Sequence, residues 1–301
     1  MDFQKIETEL LLTMPLPDWG DDAHKGTRGK LLIIGGSQRI AGAVILAARA
    51  ALRVGCGSVR VAAPASVALH IGIAVPELMV IPLPETGDGT IASSARETLL
   101  EEMKACQAVV LGPGLDSHDK TDALVRELVE EASLPMVVDA QALVALGHKL
   151  KMGEAPRIVT PHEAEFEALS GTAVGEDRVQ TAVEFAAKAG VTIVLKGRET
   201  VIATEGETPA QNEAGTRALG TAGSGDVLAG CIGGFLAQGL SAHQAAVWGV
   251  HLHALAGEAA AKDNGEDGLM ARDFIERLPG IQKYLRRSTQ QEKRLGFGLR
   301  R

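Results

Sequence analysis

The sequence predicts an α/β fold built on a mostly parallel sheet covered by helices on both faces. Three observations carry that expectation: short continuous apolar runs recur along the chain, helical stretches separate most of them, and small or polar residues follow the runs. Apolar runs without in–out alternation read as strands buried on both sides. Strands alternating with helices build parallel sheets with right-handed crossovers.

In chain order, Leu31 to Ile34 is the first strand, followed by Gly35-Gly36-Ser37 and a helical stretch from Ile40 to Val54. Further β-like runs lie at Val59 to Ala63, Leu78 to Ile81, Ala108 to Leu111, Met136 to Val138, Arg157 to Val159 and Val191 to Leu195. Lys120 to Glu131 and Asp177 to Ala189 read as intervening helices. Thr200 to Thr204 reads as an outer strand, because the chain then turns helical at Gly225 to Gln238, Ala242 to Lys262 and Ala271 to Leu278. No linker-like composition shift precedes Leu285, so residues 1–284 are expected to form a single domain. From Tyr284 to Arg301 there are six basic residues and one acid. Residues 285–301 are therefore expected to be a flexible basic tail, with an acidic partner or RNA as the alternative reading.

Composition narrows the function classes. The 301 residues carry 30 Lys and Arg against 38 Asp and Glu, a net charge of −8, which argues against a phosphate-backbone reader. Nine aromatics in all disfavour a base-stacking single-strand binder. With 46% apolar residues the chain buries a sizeable core. Cys56, Cys106 and Cys231 are far apart, which indicates neither a disulfide framework nor a cysteine-rich zinc site. Asp2, Glu7 and Glu9 interrupt the N-terminus as a signal peptide, and Arg49 and Arg53 break the best candidate membrane span. The expectation is a soluble cytoplasmic protein with no nucleic-acid or membrane partner.

In an open parallel sheet, ligands bind beyond the carboxyl ends of the strands. The residues at those ends are Gly35-Gly36-Ser37 with Gly42-Ala43, Gly112-Pro113-Gly114-Leu115, Asp139, Thr160-Pro161-His162 and Lys196-Gly197. The first glycine cluster is not the G-x-G-x-x-G dinucleotide fingerprint; close backbone approach to a ligand and a tight strand-to-helix turn both fit it. The strongest local signal is Gly223-Ser224-Gly225-Asp226 opening a long apolar helix. Backbone N–H groups of Gly223, Ser224 and Gly225 would form an anion hole at a helix N-terminus, where the dipole favours negative charge. Asp226 beside such an anion has a reason as a general base for a hydroxyl; the competing reading is an ordinary first-turn acid. His162 fits a ligand donor and a helix cap equally well. Glu163, Glu165 and Glu167 read as first-turn acids of the next helix. Lys196 is a candidate phosphate contact. His251 and His253, two apart, fall on different helical faces and do not make a metal pair.

Taken in order, His24-Lys25-Gly26, Gly29-Lys30, Gly35-Gly36-Ser37, Gly42-Ala43, Gly112-Pro113-Gly114-Leu115, Asp139-Ala140, Thr160-Pro161-His162 with Glu165-Phe166, Lys196-Gly197 with Thr200, and Gly223-Ser224-Gly225-Asp226 resemble one family. It is the family of ADP/ATP-dependent NAD(P)H-hydrate dehydratases, and the resemblance runs from about Lys25 to Leu278. It implies a ribokinase-like three-layer α/β/α fold and ADP-dependent conversion of (S)-NAD(P)H hydrate to NAD(P)H, with AMP and phosphate released. By matching motif, Ala43, Gly114, His162 and Asp226 would contact the hydrate, while Lys196, Gly197, Arg198, Glu199, Thr200 and Gly225 would hold ADP. Asp226 would be the catalytic base at the reacting hydroxyl. Mg²⁺ is expected to bridge the phosphates, although no metal-ligand cluster is identifiable in the sequence.

A homo-oligomer, a tetramer by resemblance, and a separate epimerase are the implied partners. Many relatives carry that epimerase as an N-terminal domain, for which this chain has no room. The chain also reads Thr221-Ala222-Gly223 where family members often have Lys-Gly-Gly. Two other readings share these features: a ribokinase-like kinase acting on a vitamin precursor, and a non-catalytic nucleotide sensor. Asp226 weighs against the sensor, since binding alone gains nothing from an acid beside a phosphate.

Overall fold

A computed structural model describes residues 2–20, 24–148 and 151–295, with side chains to residue 289. Ten strands form one sheet: β1 (Gln4–Lys5), β2 (Lys30–Ile34), β3 (Ser58–Pro64), β4 (Met79–Leu83), β5 (Ala108–Leu111), β6 (Met136–Val138), β7 (Arg157–Val159), β8 (Thr192–Leu195), β9 (Thr200–Ala203) and β10 (Ala210–Asn212). Their order is β1-β10-β9-β8-β7-β6-β5-β2-β3-β4. From β8 to β4 every pairing is parallel; β9 runs antiparallel to both β8 and β10, and β1 returns parallel to β10.

Successive residues of a strand face opposite sides, so one strand feeds two cores. Leu31 and Ile33 of β2 join Val59 and Val61 under one helical layer, while Leu32 and Ile34 join Val109 and Leu111 under the other. The first layer contains α1 (Thr8–Thr13), α2 (Gly42–Arg53) and α3 (Ala65–Ala74), then α9 (Ser224–Ala237), α10 (Ala242–Asn264), α11 (Ala271–Ile275) and α12 (Leu278–Leu295). The second contains α4 (Arg96–Lys104), α5 (Asp119–Glu131), α6 (Gln141–Leu146), α7 (Glu163–Ser170) and α8 (Arg178–Ala189). The expected three-layer α/β/α architecture with a mostly parallel sheet is the architecture found. Among the described residues no helix is long and apolar enough to cross a membrane.

Close helix packing follows from small residues. A Cβ on Gly230 of α9 would lie 2.1 Å from the Ala47 carbonyl oxygen of α2, and one on Gly234 would meet Val54 at 2.6 Å. Opposite, fully buried Arg157 at the start of β7 donates to the carbonyls of Val129 (2.8 Å) and Ala132 (2.6 Å), closing the C-terminus of α5. Burial lowers its pKa to about 10, but the guanidinium stays charged and saturates acceptors that would otherwise be orphaned.

Two expectations change. Thr200–Ala203 is not an outer strand, because β10 and β1 continue the sheet beyond it. The boundary placed before Leu285 falls inside α12: Leu285 is buried, and Arg286 donates to the Pro17 carbonyl at 3.1 Å. A buried leucine and a long-range hydrogen bond hold the start of that basic segment on the body. Residues beyond 295 in the expected tail lie outside the described residues.

Candidate functional site

The strand order reverses between β5 and β2, the place where an open α/β sheet leaves a crevice. Both glycine loops lie there. Gly36 donates its N–H to the Pro113 carbonyl at 2.8 Å. A Cβ on Gly35 would lie 2.1 Å from that same oxygen, and one on Gly114 would approach Ile40 O at 2.4 Å and the Ala43 methyl at 2.9 Å. Only glycine lets the two loops meet so closely, and Gly114 also has φ +69. Ala43 and Gly114 are therefore neighbours at the crevice.

Next to them α9 begins. Gly223 is its N-cap with φ +88, and its missing side chain leaves room for Leu46, whose Cδ1 would stand 2.5 Å from a Cβ there. Ser224 donates its N–H to Thr221 O at 3.2 Å, and its hydroxyl pairs with His253 Nε2 at 3.2 Å. The expected anion hole changes accordingly. Ser224 is committed within the protein, whereas the amides of Gly223, Gly225 and Asp226 have no partner among the described residues. Burial lowers the His253 pKa to about 4, so this imidazole is neutral at physiological pH and serves to hold the start of α9.

A polar cluster assembles at the ends of β6, β7 and β8. Lys196 Nζ lies 3.2 Å from Asp139 Oδ1 and 3.4 Å from Glu165 Oε2. Asp139 is 2% exposed and accepts a further bond from Thr160 Oγ1 at 2.6 Å. The residue after it, Ala140, has φ +52, the one positive value for a non-glycine residue among those described. A Cβ on Gly112 would lie 1.8 Å from Asp139 O, so backbone strain and a required glycine together fix this carboxylate. A Cβ on Gly225 would stand 3.6 Å from Lys196 Nζ and 3.9 Å from Asp139 Oδ2, which places the cluster against the open amides of α9.

Asp226 completes the centre. It makes no hydrogen bond or ion pair among the described residues; burial, with Asp139 and Glu165 adding repulsion against the opposing pull of Lys196, pushes its carboxyl up to about 7. Burial on its own would lower the Lys196 pKa, but Asp139 and Glu165 outweigh it and raise it, so the lysine stays a cation. The arrangement is a half-buried base of near-neutral pKa, a fixed cation and unpaired backbone donors.

The other expected residues fall around this centre. His162 caps α7: its Nδ1 accepts from Glu165 N at 3.2 Å, while Glu165 Oε2 accepts from His162 N at 2.8 Å. Its ring remains mostly exposed, with Nε2 lying 3.6 Å from Glu165 Oε1. Gly197, Arg198 and Glu199 form the exposed turn of the β8–β9 hairpin. Arg178 holds that turn through Lys196 O at 3.0 Å, and Thr200 Oγ1 donates to Gly197 O at 3.3 Å. His251 and His253 do not meet as a metal pair; His251 Nδ1 bonds Asn212 Oδ1 at 2.9 Å. Sequence reasoning gave no role to Asp139 beyond its place at a strand end and read Glu165 as a first-turn acid only. The signal for Asp139 was its position directly after a fully apolar run; nothing local pointed to the pairing of both acids with Lys196.

Among the described residues no group of three or more His, Cys, Asp and Glu could hold a metal by itself. Asp139 and Glu165 are already paired with Lys196, which leaves Asp226 as the one open carboxylate of the centre. That set fits a divalent cation carried mainly by substrate phosphates and water.

Comparison with known proteins shows the family. A family model described as NAD(P)H-hydrate dehydratase matches residues 31–280. An ADP-dependent (S)-NAD(P)H-hydrate dehydratase of Xanthomonas campestris is 41% identical over 279 residues, covering 92% of this chain and 95% of that protein. A bifunctional NAD(P)H-hydrate repair enzyme of Thermofilum pendens is 37% identical over 94% of this chain, which spans 55% of its length. Among solved structures, an ADP/ATP-dependent NAD(P)H-hydrate dehydratase of Bacillus subtilis, co-crystallised with ATP and Mg²⁺, superposes with TM-score 0.81 at 28% identity, over 95% of this chain and 99% of that one. With a family match over most of its length and a full-length relative above 40% identity, the chain belongs to the NAD(P)H-hydrate dehydratase family.

Proposed function

We propose that this protein restores NAD(P)H from its (S)-hydrate at the expense of ADP, releasing AMP and phosphate. The observation that carries the reading is Asp226: a half-buried, unpaired carboxyl of near-neutral pKa at the N-terminus of α9, beside open amides and Lys196. Hydroxide on C6 of the nicotinamide ring is a poor leaving group, and phosphorylation makes it a good one. Asp226 takes the hydroxyl proton as the oxygen attacks the β-phosphorus of ADP, and the bond from that phosphorus to AMP breaks. The ring nitrogen lone pair then expels phosphate, and loss of a C5 proton restores the dihydropyridine.

The open amides of Gly223, Gly225 and Asp226, with Lys196, support charge on the transferring group. Ala43, Gly114 and His162 line the side assigned to the hydrate; the Lys196–Thr200 turn and Gly225 line the side assigned to the adenine nucleotide. Lys196 supplies a cation where Thr221-Ala222 replaces the Lys-Gly often found in relatives. Mg²⁺ would neutralise the phosphates, which fits the single open carboxylate.

A homo-oligomer is part of the proposal. The small-residue helices α2 and α10 are spent on the chain's own core. Leu69 and Ile73 of α3 are instead each 71% exposed, beside exposed Met79 on the edge strand β4. Such a patch on a sheet edge suits burial by a second copy. An epimerase that equilibrates the two hydrate epimers would act on the same substrate pool. The reading is tested by incubating the protein with hydrate, ADP and Mg²⁺ and following dihydronicotinamide absorbance. Nucleotide-dependent appearance of NADH supports it, and no appearance overturns it.

A further inference from the structure

A second concave site lies at the opposite end of the sheet. Arg28 precedes β2, Arg53 ends α2, Gln238 follows α9, and α12 contributes Lys283, Arg286 and Arg287; with Trp19 they line a cavity of about 310 Å³. That is the lower end of the size range of small-molecule sites. It opens at the amino ends of the strands, whereas Asp226 stands at the carboxyl ends. The 14 residues of α9 separate the two by ~21 Å.

Five lining side chains are cationic and none is acidic. Arg53 is engaged by Glu276, and Arg286 by the Pro17 carbonyl. Arg28, Lys283 and Arg287 have no ion-pair partner among the described residues, and Arg28 Nε is buried without any hydrogen-bond partner. Cations do stabilise helix C-termini, and α2 and α9 both end here. That account leaves the cluster unexplained, because the terminal carbonyls are already served: Gln238 Nε2 donates to Val54 O at 3.2 Å and Gly234 O at 3.0 Å, and Gln282 Nε2 reaches Val54 O at 3.4 Å. Glu276 at Arg53 and Asp18 near Arg286 offset two of the five cations; on a chain of net charge −8, the other three around a cavity are a place for an anion.

We propose that this cavity binds a phosphate-bearing small molecule, with Trp19 as a stacking platform for a planar ring such as a nucleobase. Guanidinium forks match phosphate oxygens, and an indole face receives a base of any identity. The site is independent of the catalytic one, and its test does not rest on the proposed reaction.

The experiment titrates the full chain with AMP and with pyrophosphate while following tryptophan fluorescence. Trp19 is partly exposed at the cavity, whereas Trp248 is 1% exposed in the core, so a saturable quench reports this site. Lys283→Glu/Arg287→Glu alters two exposed side chains without disturbing the fold, and circular dichroism checks that. The expected result is saturable quenching by AMP, competition by pyrophosphate, and affinity at least about tenfold weaker in the double variant. Turnover of the hydrate by the double variant should stay within about twofold of wild type, since neither residue touches the centre around Asp226. Arg28→Gln should weaken AMP similarly, with Arg28→Lys recovering part of the loss. Equal affinity for pyrophosphate and AMP would assign the site to the phosphate groups alone, and tighter AMP would assign it to a nucleotide. Absence of a saturable quench, or an affinity unchanged by the charge reversal, overturns the proposal.

Discussion

Replacing Asp226 by Asn separates two consequences of one half-buried carboxyl. Its pKa rises from 3.8 to about 7, chiefly by burial and then by the Asp139 carboxylate. The folded protein therefore holds this proton more tightly than the unfolded chain does. Between those two values folding takes up a proton, so stability falls as pH rises from about 4 to about 7 and stays reduced above. At 1.36 kcal/mol per pH unit the interval sets a ceiling of about 4 kcal/mol. Partial solvent access and relaxation reduce it, and about 1–2 kcal/mol is the gain expected from Asp226→Asn at pH 8. Near pH 4, where the native carboxyl is already neutral, the gain should vanish.

The same variant should lose turnover by about 10²–10⁴-fold, the scale of general-base catalysis, with the dissociative character of phosphoryl transfer favouring the smaller figure. Nucleotide affinity should hold or improve, because a negative charge beside the phosphates is gone. In the wild type the base must be ionised, so kcat/KM should fall below pH about 7 along a one-proton limb that the variant lacks. Urea denaturation at pH 4 and pH 8, steady-state rates across pH and separate nucleotide titrations give all of these. Wild-type turnover in the variant would remove Asp226 from the mechanism. An unchanged stability difference between pH 4 and pH 8 would refute the burial argument.

Three further outcomes follow. Gly230→Ala should cost about 1–3 kcal/mol in urea denaturation, because its Cβ would lie 2.1 Å from Ala47 O and must separate α2 from α9. Lys196→Gln should cost about 3 kcal/mol by stranding Asp139 and Glu165, and nucleotide titration should show weakened binding. Leu69→Glu/Ile73→Glu should convert an oligomer to a monomer by light scattering with the secondary structure intact; a wild type already monomeric at micromolar concentration would refute the α3 interface.

The buried strands were legible because each is a continuous apolar run: Leu31–Ile34 and Ala108–Leu111 need no tertiary information to be read. β1 and β10 were missed for the converse reason. Gln4–Lys5 is exposed, and Ala210–Asn212 buries a glutamine and an asparagine whose partners, Glu199 and His251, lie far along the chain. The glycine loops and Asp226 could be placed because they sit at strand ends and a helix start, positions that local pattern defines. The pairing of Lys196 with Asp139 and Glu165 could not, since 57 residues separate the lysine from Asp139 and only the adjacency of β6, β7 and β8 joins them. Of the two descriptions that fitted His162, the helix cap is the one seen: its Nδ1 accepts from Glu165 N at the start of α7.

The central claim is that phosphoryl transfer to the C6 hydroxyl drives the dehydration, and an oxygen label tests it directly. Hydrate carrying heavy oxygen at that hydroxyl is converted with unlabelled ADP and Mg²⁺ in unlabelled water, and the released phosphate is analysed by mass spectrometry. In the proposed route the hydroxyl oxygen stays bound to phosphorus when the C6–O bond breaks, so the label should appear in phosphate with one heavy oxygen per NAD(P)H formed. Label recovered only in water would mean that hydroxide leaves without phosphorylation, and would contradict the role assigned to Asp226 and the open amides of α9.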